Sequence, residues 1–381
     1  MRNPQCGPVP RRILVAPDKF KGTLTAREAA ESIAAGWRRI HPDDVLDLLP
    51  MSDGGEGFGS VLAGALDAET RVCPTTDAAG RPRDAQWWWS PARGVAVVET
   101  AQVNGLALLP PGRFHPFELD TFGIGAVLRD AVAVGARECW IGVGGSATND
   151  AGFGLARSLG WRFFDGAGLG IERWPDLARL ARIQMPPTNP LEGCALTVAV
   201  DVGNPLLGPD GCTRVYGPQK GLTPDRAPEA EAALGRLAET MRAQWGRDLA
   251  DVPGSGAAGG LGYGLQAFLG ARVESGFEIF SKANALDSRL GKADLVLTGE
   301  GSLDRQSLMG KGTGRIAARA RIHGKPCIGL AGLVEPLSAE EAGRSPFAAA
   351  HAIAPTLATP EAARARAAHW LEELAARVAR G

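Results

Sequence analysis

Small and polar residues that could bind phosphate follow an apolar run near the middle of the chain. Cys139–Gly154 reads CWIGVGGSATNDAGFG, in which the apolar stretch Cys139–Val143 is followed by two glycines and five small or polar residues. Glycines let a ligand approach the backbone closely, and free N–H groups at the start of a following helix favour an anion. We therefore predict a phosphate site at this loop. Its candidate residues are Gly144, Gly145, Ser146, Thr148, Asn149 and Asp150.

Other glycine-bearing loops carry carboxylates or lysines directly after apolar runs. Carboxylates occur in Asp53–Gly57, Asp201–Pro205 and Gly299–Asp304, and lysines occur in Pro17–Gly22 and Gln219–Gly221. Phosphoryl transfer needs Mg²⁺, cations and a carboxylate that accepts the hydroxyl proton, and Mg²⁺ itself needs only one or two protein carboxylates. One such loop alone is commonly a simple turn. Five of them after predicted strands indicate a functional cleft, because ligands collect outside the carboxyl ends of strands.

The elements that must hold these loops alternate between strand, loop and helix at the start of the chain. Ile13–Ala16 and Val45–Leu49 are apolar enough for buried strands, and Ala26–Ile40 follows a capping box that runs from Thr25 to Glu28. This repetition predicts a parallel sheet with helices on its faces. The predicted fold class is therefore α/β.

Gly254–Gly264 is predicted as a glycine-rich loop before a helix, and the same alternation of strand, loop and helix returns near residue 290. Leu295–Thr298 is predicted as a strand and Gly299–Gly312 as a loop, and a closing helix begins at Pro360 with Thr359 as its N-cap. The arginines of Arg364–Arg380 are expected to form a solvated helix face.

A different pattern separates the two ends of the chain. Trp87–Trp89 and Val95–Val98 suggest strands without intervening helices, so another domain is expected to start near residue 70. We predict a discontinuous α/β domain formed by residues 1–70 and 290–381, with an inserted α/β domain at residues 71–289 that carries the phosphate loop. The two domains would flank a cleft.

Composition excludes several classes of protein. The formal net charge of −1 over 381 residues gives no electrostatic footprint for nucleic acid, and no apolar run reaches the ~18 residues that a membrane span needs. The N-terminus lacks the apolar core of a signal peptide. Six scattered cysteines without a CxxC pair, and five histidines without ligand spacing, favour reduced thiols in a cytoplasmic protein over a zinc site. A small-molecule substrate is expected, and homo-oligomerisation stays open.

A dinucleotide site is the main alternative. Gly142, Gly144 and Ala147 follow a strand, and Asp165 ends the next strand, which resembles the NAD-binding pattern. The polar residues of Thr148–Asp150 argue against it, because Asp150 would repel a pyrophosphate unless a metal intervened. An NAD-dependent hydroxy-acid dehydrogenase is nevertheless kept as the alternative function.

Two familiar nucleotide motifs are missing from the sequence. Gly310–Lys311 is followed by Gly312 where a Walker A loop needs Ser or Thr, and the glycine-loop and VAIK pattern of protein kinases is absent. A nucleotide-binding regulator without catalysis is a third hypothesis. The many carboxylates argue against this hypothesis, because they would repel a bound phosphate unless a metal ion were also present.

Together these segments resemble the type I glycerate kinase family, the bacterial glycerate 2-kinases. They occur in the family's order from residue 13 to about residue 331. The resemblance implies ATP-dependent phosphorylation of D-glycerate to 2-phosphoglycerate with Mg²⁺, and two α/β domains around a cleft. Lys19 and Asn104 depart from the residues frequent in relatives, which leaves a related hydroxy-acid acceptor open. The matching segments are Pro17–Ala26, Pro50–Gly57, Gly144–Gly152, Asp201–Gly208, Gly217–Gly221, Gly254–Gly264 and Ala293–Lys311.

Roles are assigned by the chemistry of the side chains. Gly144–Asp150 would hold the ATP phosphates through backbone N–H groups, helped by the Ser146 and Thr148 hydroxyls. Lys21 and Lys220 would neutralise charge on the transferred phosphoryl group or on the glycerate carboxylate. Asp201, with Asn204 nearby, is the first choice for the Mg²⁺ ligand or the general base. The competing carboxylates are Asp53, which is also a candidate catalytic residue, Glu56, Glu300 and Asp304. Gly299 and Glu300 are further candidates for nucleotide binding.

Overall fold

A computed structural model of the protein describes residues 9–308 and 312–381. They form two compact units: the described residues up to Ser52 join Phe280–Gly381 in the first, and Asp53–Ile279 is the second. The predicted boundaries after residues 70 and 289 lie further along the chain than these divisions. Helix Phe58–Leu66 accordingly belongs to the second unit, where Gly59 packs against Trp88. That either unit folds as an independent domain stays a prediction.

The strands of the described residues are short, and most follow a loop or a helix. They are β1 (Arg12–Val15), β2 (Val45–Leu48), β3 (Glu69–Thr76), β4 (Pro82–Ser90), β5 (Val95–Glu99), β6 (Glu138–Gly142), β7 (Arg162–Asp165), β8 (Leu180–Gln184), β9 (Ala195–Ala199), β10 (Arg272–Glu274), β11 (Leu295–Leu303), β12 (Cys327–Val334) and β13 (Ala349–Ala352).

The helices connect these strands in both units. They are α1 (Ala26–Arg38), α2 (Phe58–Leu66), α3 (Ala101–Asn104), α4 (Ile124–Ala133), α5 (Phe153–Ser158), α6 (Cys212–Tyr216), α7 (Ala227–Trp245), α8 (Ala257–Leu269), α9 (Gly276–Ala283), α10 (Leu286–Lys292), α11 (Arg305–Leu308), α12 (Gly314–Ile322), α13 (Ala339–Arg344), α14 (Pro360–Ala365) and α15 (Ala367–Arg380). None of the described helices is both long and apolar enough to cross a membrane.

The sheet of the first unit is parallel throughout, with strand order β13-β12-β11-β1-β2. The chain leaves β1 towards β2 on one side and leaves β11 towards β12 on the other. This divergence makes the carboxyl ends of β1 and β11 a topological switch point, where α/β sheets bind ligands. The core beneath contains Ile13, Leu297, Leu330 and Leu371. Both units mix strands and helices, so the predicted α/β class is confirmed.

Helix α1 begins where the sequence predicts. Thr25 Oγ1 accepts a hydrogen bond from the Glu28 N–H at 3.2 Å, and Glu28 Oε2 accepts one from the Thr25 N–H at 2.8 Å. Each side chain satisfies an N–H group that would otherwise lack a partner at the helix start. The predicted capping box is therefore confirmed.

The sheet of the second unit has the order β10-β9-β6-β5-β4-β3. The strands from β10 to β5 are parallel, whereas β4 and β3 join antiparallel. The predicted helix-free strands around Trp87–Trp89 are these antiparallel ones. Three loops therefore leave the carboxyl ends of β5, β6 and β9 at one edge of the sheet.

Two glycine-rich segments differ from their predicted structure. Gly299 and Glu300 continue β11 instead of starting a loop, because a Cβ at Gly299 would lie 1.9 Å from the Leu330 carbonyl oxygen of β12 and glycine permits this close pairing. The loop prediction at Gly299 was wrong for this reason, and residues 309–311 of the predicted loop lie outside the described residues. Gly254–Gly264, predicted as a loop, largely forms α8, which is kinked at Gly259 and Gly260 with φ values of 71° and 83°.

Candidate active site

The Gly144–Asp150 loop follows β6, which lies between β5 and β9 in the parallel part of the sheet. Among the described residues, none accepts a hydrogen bond from the backbone N–H groups of Gly145, Ser146, Thr148 or Asn149. Ser146, Thr148 and Asn149 are nevertheless buried. Buried N–H groups nearly always have a partner, so the three buried donors, together with the exposed N–H of Gly145, suit the binding of an anion.

Lys220 fixes the shape of this loop. Its ammonium Nζ donates hydrogen bonds to Ser146 Oγ at 3.0 Å and to the Thr148 carbonyl oxygen at 2.6 Å. The residue lies in the 3₁₀ turn Pro218–Lys220 and is only 6% exposed. Burial lowers the pKa of Lys220 to about 8 despite the nearby Asp150 carboxyl. Two predicted site elements, the phosphate loop and Lys220, are thus in direct contact.

Asn104 holds the opposite side of the loop. Its carbonyl oxygen accepts a hydrogen bond from the Ala147 N–H at 2.8 Å, and its side-chain Nδ2 donates to Thr148 Oγ1 at 3.1 Å. Asn104 is fully buried. A different residue at this position would therefore affect substrate choice by changing the shape of the loop, and not by contacting the substrate in an open pocket.

Asp150 anchors the end of the loop. Its carboxylate accepts hydrogen bonds from the Thr121 N–H and Oγ1 at 2.9 and 2.8 Å, and from the Gly154 N–H at 2.9 Å. The side chain is fully buried, and burial with a contribution from Asp120 raises the pKa of Asp150 to about 6 against the effect of these hydrogen bonds. The carboxylate oxygens face backbone and hydroxyl donors, so they anchor the loop. A contact of Asp150 with phosphate stays a prediction.

The Asp53–Gly57 loop packs directly against the phosphate loop. The Gly144 N–H donates to the Gly54 carbonyl oxygen at 3.2 Å, and a Cβ at Gly144 would lie 2.6 Å from Gly55 Cα. Glycine at position 144 is therefore required for this close approach of two backbones. The Asp53 side chain is partly exposed and has no hydrogen bond or ion pair with another described residue.

Glu99 stabilises the same region from the end of β5. Its two carboxylate oxygens accept hydrogen bonds from the N–H groups of Gly57 and Gly59, both at 3.1 Å, at the start of α2. The side chain is 2% exposed. A buried carboxylate at a helix N-terminus compensates the unpaired N–H groups there and the positive end of the helix dipole.

Asp201 and Asn204 follow β9 at the same sheet edge. Asp201 accepts hydrogen bonds from Ser275 Oγ at 2.7 Å and from the Phe277 N–H, in the first turn of α9, at 3.0 Å. Asn204 Oδ1 accepts a hydrogen bond from the Tyr216 hydroxyl at 2.6 Å. These contacts orient Asp201 and occupy one lone pair of the Asn204 oxygen.

The loops at this edge offer oxygen atoms of the chemical type that binds magnesium. Within the described residues, no cluster of three or more His, Cys, Asp or Glu side chains is arranged to hold a metal. Magnesium does not need one, because phosphate oxygens and waters complete its octahedral shell. Asp53 and Asp201 supply carboxylates, and the buried Asn149 Oδ1 accepts no hydrogen bond from a described residue. These are hard oxygen ligands of the kind that Mg²⁺ prefers.

Lys21, Gly299 and Glu300 lie in the first unit. Lys21 and Glu300 line a cavity of about 450 Å³ beside the carboxyl end of β1. Gly299 lies within β11, where its carbonyl oxygen accepts a hydrogen bond from the Asp18 N–H at 2.8 Å. Glu300 Oε1 accepts one from Thr313 Oγ1 at 2.5 Å. Two of these three predicted residues therefore share one cavity.

Three residues of these sites were not predicted from the sequence. Glu99 ends an apolar strand, and a carboxylate at a strand end was the one available signal for it. Thr121 contacts Asp150 from 29 positions away, so no local pattern reveals it. Arg364 was assigned to a solvated helix face, whereas the structure places it in the lining of the first-unit cavity.

The geometry does not support the dinucleotide alternative. Asp165 ends β7, which pairs antiparallel with β8 in a separate two-stranded sheet. A dinucleotide fold instead places the acidic residue on a parallel strand beside the strand that carries the glycine loop. The strands that flank β6 are β5 and β9, so the dehydrogenase prediction is not supported.

Comparisons with known proteins agree with the kinase interpretation. The family model described as the glycerate kinase family matches residues 13–381. Glycerate kinase of Halalkalibacterium halodurans is 40% identical over 84% of this chain and 85% of its own length. Glycerate 2-kinase of Escherichia coli K12 is 38% identical over 84% of this chain and 85% of its own length.

A solved structure resembles the fold over nearly its whole length. A Salmonella typhimurium LT2 protein assigned as glycerate kinase 2 superimposes with a TM-score of 0.81 and is 36% identical. The match covers 97% of this chain and 98% of that one. On the strength of the family match and of these relatives, the chain belongs to the glycerate kinase family.

Proposed function

We propose that this protein transfers the γ-phosphoryl group of ATP to the 2-hydroxyl of D-glycerate. Membership of the glycerate kinase family supports phosphorylation of glycerate with ATP as the donor, and the E. coli relative named glycerate 2-kinase supports the 2-position. The observation that carries the proposal is the set of four backbone N–H groups, those of Gly145, Ser146, Thr148 and Asn149, that donate to no described residue. Such donors suit the phosphates of a nucleotide.

The phosphate loop would act through preorganisation. Phosphoryl transfer requires mainly positioning and stabilisation of charge, since the protein takes little part in covalent steps. Lys220 and Asn104 hold the loop from two sides, so the loop is already fixed in position before a ligand binds. The Ser146 and Thr148 hydroxyls, which these side chains contact, are the additional donors. Lys220 also places a positive charge behind the phosphates.

Magnesium would neutralise the negative charge of the transferring phosphates. Asp53 and Asp201 are both partly exposed, and Asp53 is the better ligand because its oxygens accept no hydrogen bond from a described residue. Asp201 is oriented by Ser275 and Phe277 for either metal binding or proton acceptance. Asn204 would assist from the same loop. The acceptor hydroxyl loses its proton in the reaction, and a carboxylate at this edge would accept it.

We further infer that the protein acts in the cytoplasm. The five cysteines in the described part of the chain are all free thiols, which fits a reducing compartment. A soluble pool of ATP is the natural phosphate donor there.

A product analysis tests the proposed function directly. Purified protein is incubated with ATP, Mg²⁺ and D-glycerate, ADP release is followed by a coupled assay, and the product is identified by ³¹P and ¹H NMR. We expect ADP release that depends on glycerate, with the phosphorus coupled to the C2 proton. Coupling to the C3 protons would contradict the 2-position. Reduction of NAD by a hydroxy acid without ADP release would contradict the kinase.

A further inference from the structure

The cavity of the first unit lies at the topological switch point of its sheet. Residues from Asp18 to Lys21 enter it after β1, and residues from Glu300 to Ser302 of β11 form the neighbouring wall. Gly332 and Leu333 of β12 continue this wall, and Arg364 of α14 faces the cavity as well. Its volume of about 450 Å³ lies within the ~300–1,000 Å³ range of small-molecule sites.

The charges of the cavity suit a molecule that carries both a carboxylate and hydroxyl groups. Three cationic side chains and two carboxylates line it together: Lys19, Lys21, Arg364, Asp18 and Glu300. Cations pair with a carboxylate, and an arginine can do so with two parallel hydrogen bonds. Carboxylate oxygens accept hydrogen bonds from hydroxyl groups. A triphosphate fits less well, because Asp18 and Glu300 would repel it.

Apart from the Thr23 and Ser302 hydroxyls, the uncharged lining is mainly apolar. Phe20, Leu333, Ile353 and Ala363 form a wall without charge beside the polar residues. A carbon chain can contact such a wall while its carboxylate and hydroxyls face the charged side chains. The volume exceeds what a three-carbon acid needs, so there is room for a longer chain.

We propose that this cavity is the binding site for the hydroxy-acid acceptor. Arg364 and Lys21 hold the carboxylate, and the apolar wall admits acids of four carbons as well as glycerate. This inference rests on the proposed function, which it deepens by naming where the acceptor binds and which acids it includes. Arg364 becomes a specificity-determining residue.

Calorimetric titration and steady-state kinetics on the full chain test this assignment. D-Glycerate and a four-carbon dihydroxy acid are titrated into the wild type, Arg364→Gln, Arg364→Lys and Lys21→Gln. A hydrogen-bonded charge pair of this kind changes affinity by roughly tenfold or more. We expect Arg364→Gln and Lys21→Gln to raise Kd and KM for both acids by that factor. KM for ATP stays within twofold, and Arg364→Lys retains part of the affinity.

Arg366→Gln is the matched control. Arg366 is exposed, lies two positions from Arg364, and is not part of the cavity lining. Its variant should bind both acids like the wild type, and thermal melting of each variant reports on folding.

The outcomes separate this inference from the proposed function. If the wild type phosphorylates glycerate while Arg364→Gln and Lys21→Gln keep its KM, the cavity is not the acceptor site and the function stands. If no acid is phosphorylated, but binding is lost in Arg364→Gln and kept in Arg366→Gln, the cavity assignment stands and the function falls. Equal loss of affinity in Arg366→Gln would overturn the assignment.

Discussion

The ammonium nitrogen of Lys220 lies 2.6 Å from the carbonyl oxygen of Thr148, although the two residues are 72 positions apart in the sequence. A buried cation needs acceptors of this kind, because an unpaired charge in the interior is costly. The lysine and the loop therefore depend on each other: the loop supplies the acceptors, and the lysine fixes the loop.

Removal of this cation is expected to impair ATP use. Lys220→Met keeps most of the side-chain volume but removes the hydrogen bonds to Ser146 and Thr148. Hydrogen bonds to charged groups contribute ~1.5–3 kcal/mol each, so we expect kcat/KM for ATP to fall roughly 100-fold. Lys292→Met, at an exposed lysine, is the control. Wild-type kcat/KM in a folded Lys220→Met protein would refute the role of this lysine.

The pH dependence of activity should reflect the same residue. The pKa of Lys220 is lowered to about 8, so the ammonium loses its proton as the pH rises through that value. We expect kcat/KM for ATP to decrease through pH 8, and this decrease to be absent in Lys220→Arg because arginine stays charged.

Whereas activity should fall as the pH rises through 8, the contribution of Lys220 to the unfolding free energy should increase. The unfolded chain binds more protons at this lysine than the native protein between pH 8 and about pH 10, so the contribution of Lys220 to the unfolding free energy rises with pH there. Urea unfolding of the wild type and of Lys220→Met at both pH values measures this contribution. A larger stability gain in the variant than in the wild type would contradict the assigned pKa shift.

A side chain at position 144 should separate the two packed loops. In Gly144→Ala the new Cβ would lie 2.6 Å from Gly55 Cα, which only a backbone shift can relieve. Overpacking of this kind costs about 1–3 kcal/mol, and we expect that loss of unfolding free energy together with reduced activity. Gly166→Ala is the control, since a Cβ at Gly166 meets nothing within 4 Å. Equal stability of the two variants in urea unfolding would show that the contact is not tight.

Magnesium titrations should distinguish a metal ligand from a proton acceptor. We expect Asp53→Asn to raise the Mg²⁺ concentration for half-maximal activity about tenfold or more, with activity recovered at high Mg²⁺, because a lost ligand weakens binding without removing the base. If Asp201 is the base, Asp201→Asn stays inactive at every Mg²⁺ concentration. Near-wild-type turnover of Asp201→Asn at low Mg²⁺ would exclude both roles for that residue.

The anchor at Asp150 should be needed for stability. Asp150→Asn replaces one carboxylate oxygen by an NH₂ group that faces the donors of Thr121 and Gly154. A buried donor without an acceptor costs ~1–3 kcal/mol, and we expect a loss of unfolding free energy in this range. The exposed Asp251 supplies the control variant, Asp251→Asn. Equal denaturation midpoints for the two variants would show that Asp150 does not anchor the loop.

Local patterns in the sequence predicted local structure well. The capping box at Thr25 and the N-cap at Thr359 both occur, because each involves residues three positions apart. The loop prediction at Gly299 was wrong because glycine there serves a close contact with Leu330 on a neighbouring strand. A glycine that ends a strand and one that fits between strands look the same in a single sequence.

In the candidate sites, too, the sequence predicted local features but not contacts between distant segments. The glycine loops identified Ser146, Thr148 and Lys220 by composition, and the structure shows that they contact one another. The anchoring partners Glu99 and Thr121 contact the loops from distant segments, so no sequence pattern indicated Thr121, and only a carboxylate at a strand end indicated Glu99. The inward orientation of the Asp150 side chain depends on how the surrounding segments pack, so residue type alone does not predict it.

The pairing of strands in the first-unit sheet affects how this chain can fold during its synthesis. Strand β1 pairs with β11, and the Arg12 N–H donates to Asp294, 282 positions later. The nascent second unit is complete before β11 emerges, and at that stage β1 and α1 still lack their partners. Their apolar residues, such as Ile13, Ile33 and Trp37, then stay available to chaperones until late in synthesis. Strand β1 can therefore complete its pairing only after the chain between it and β11 has been synthesised.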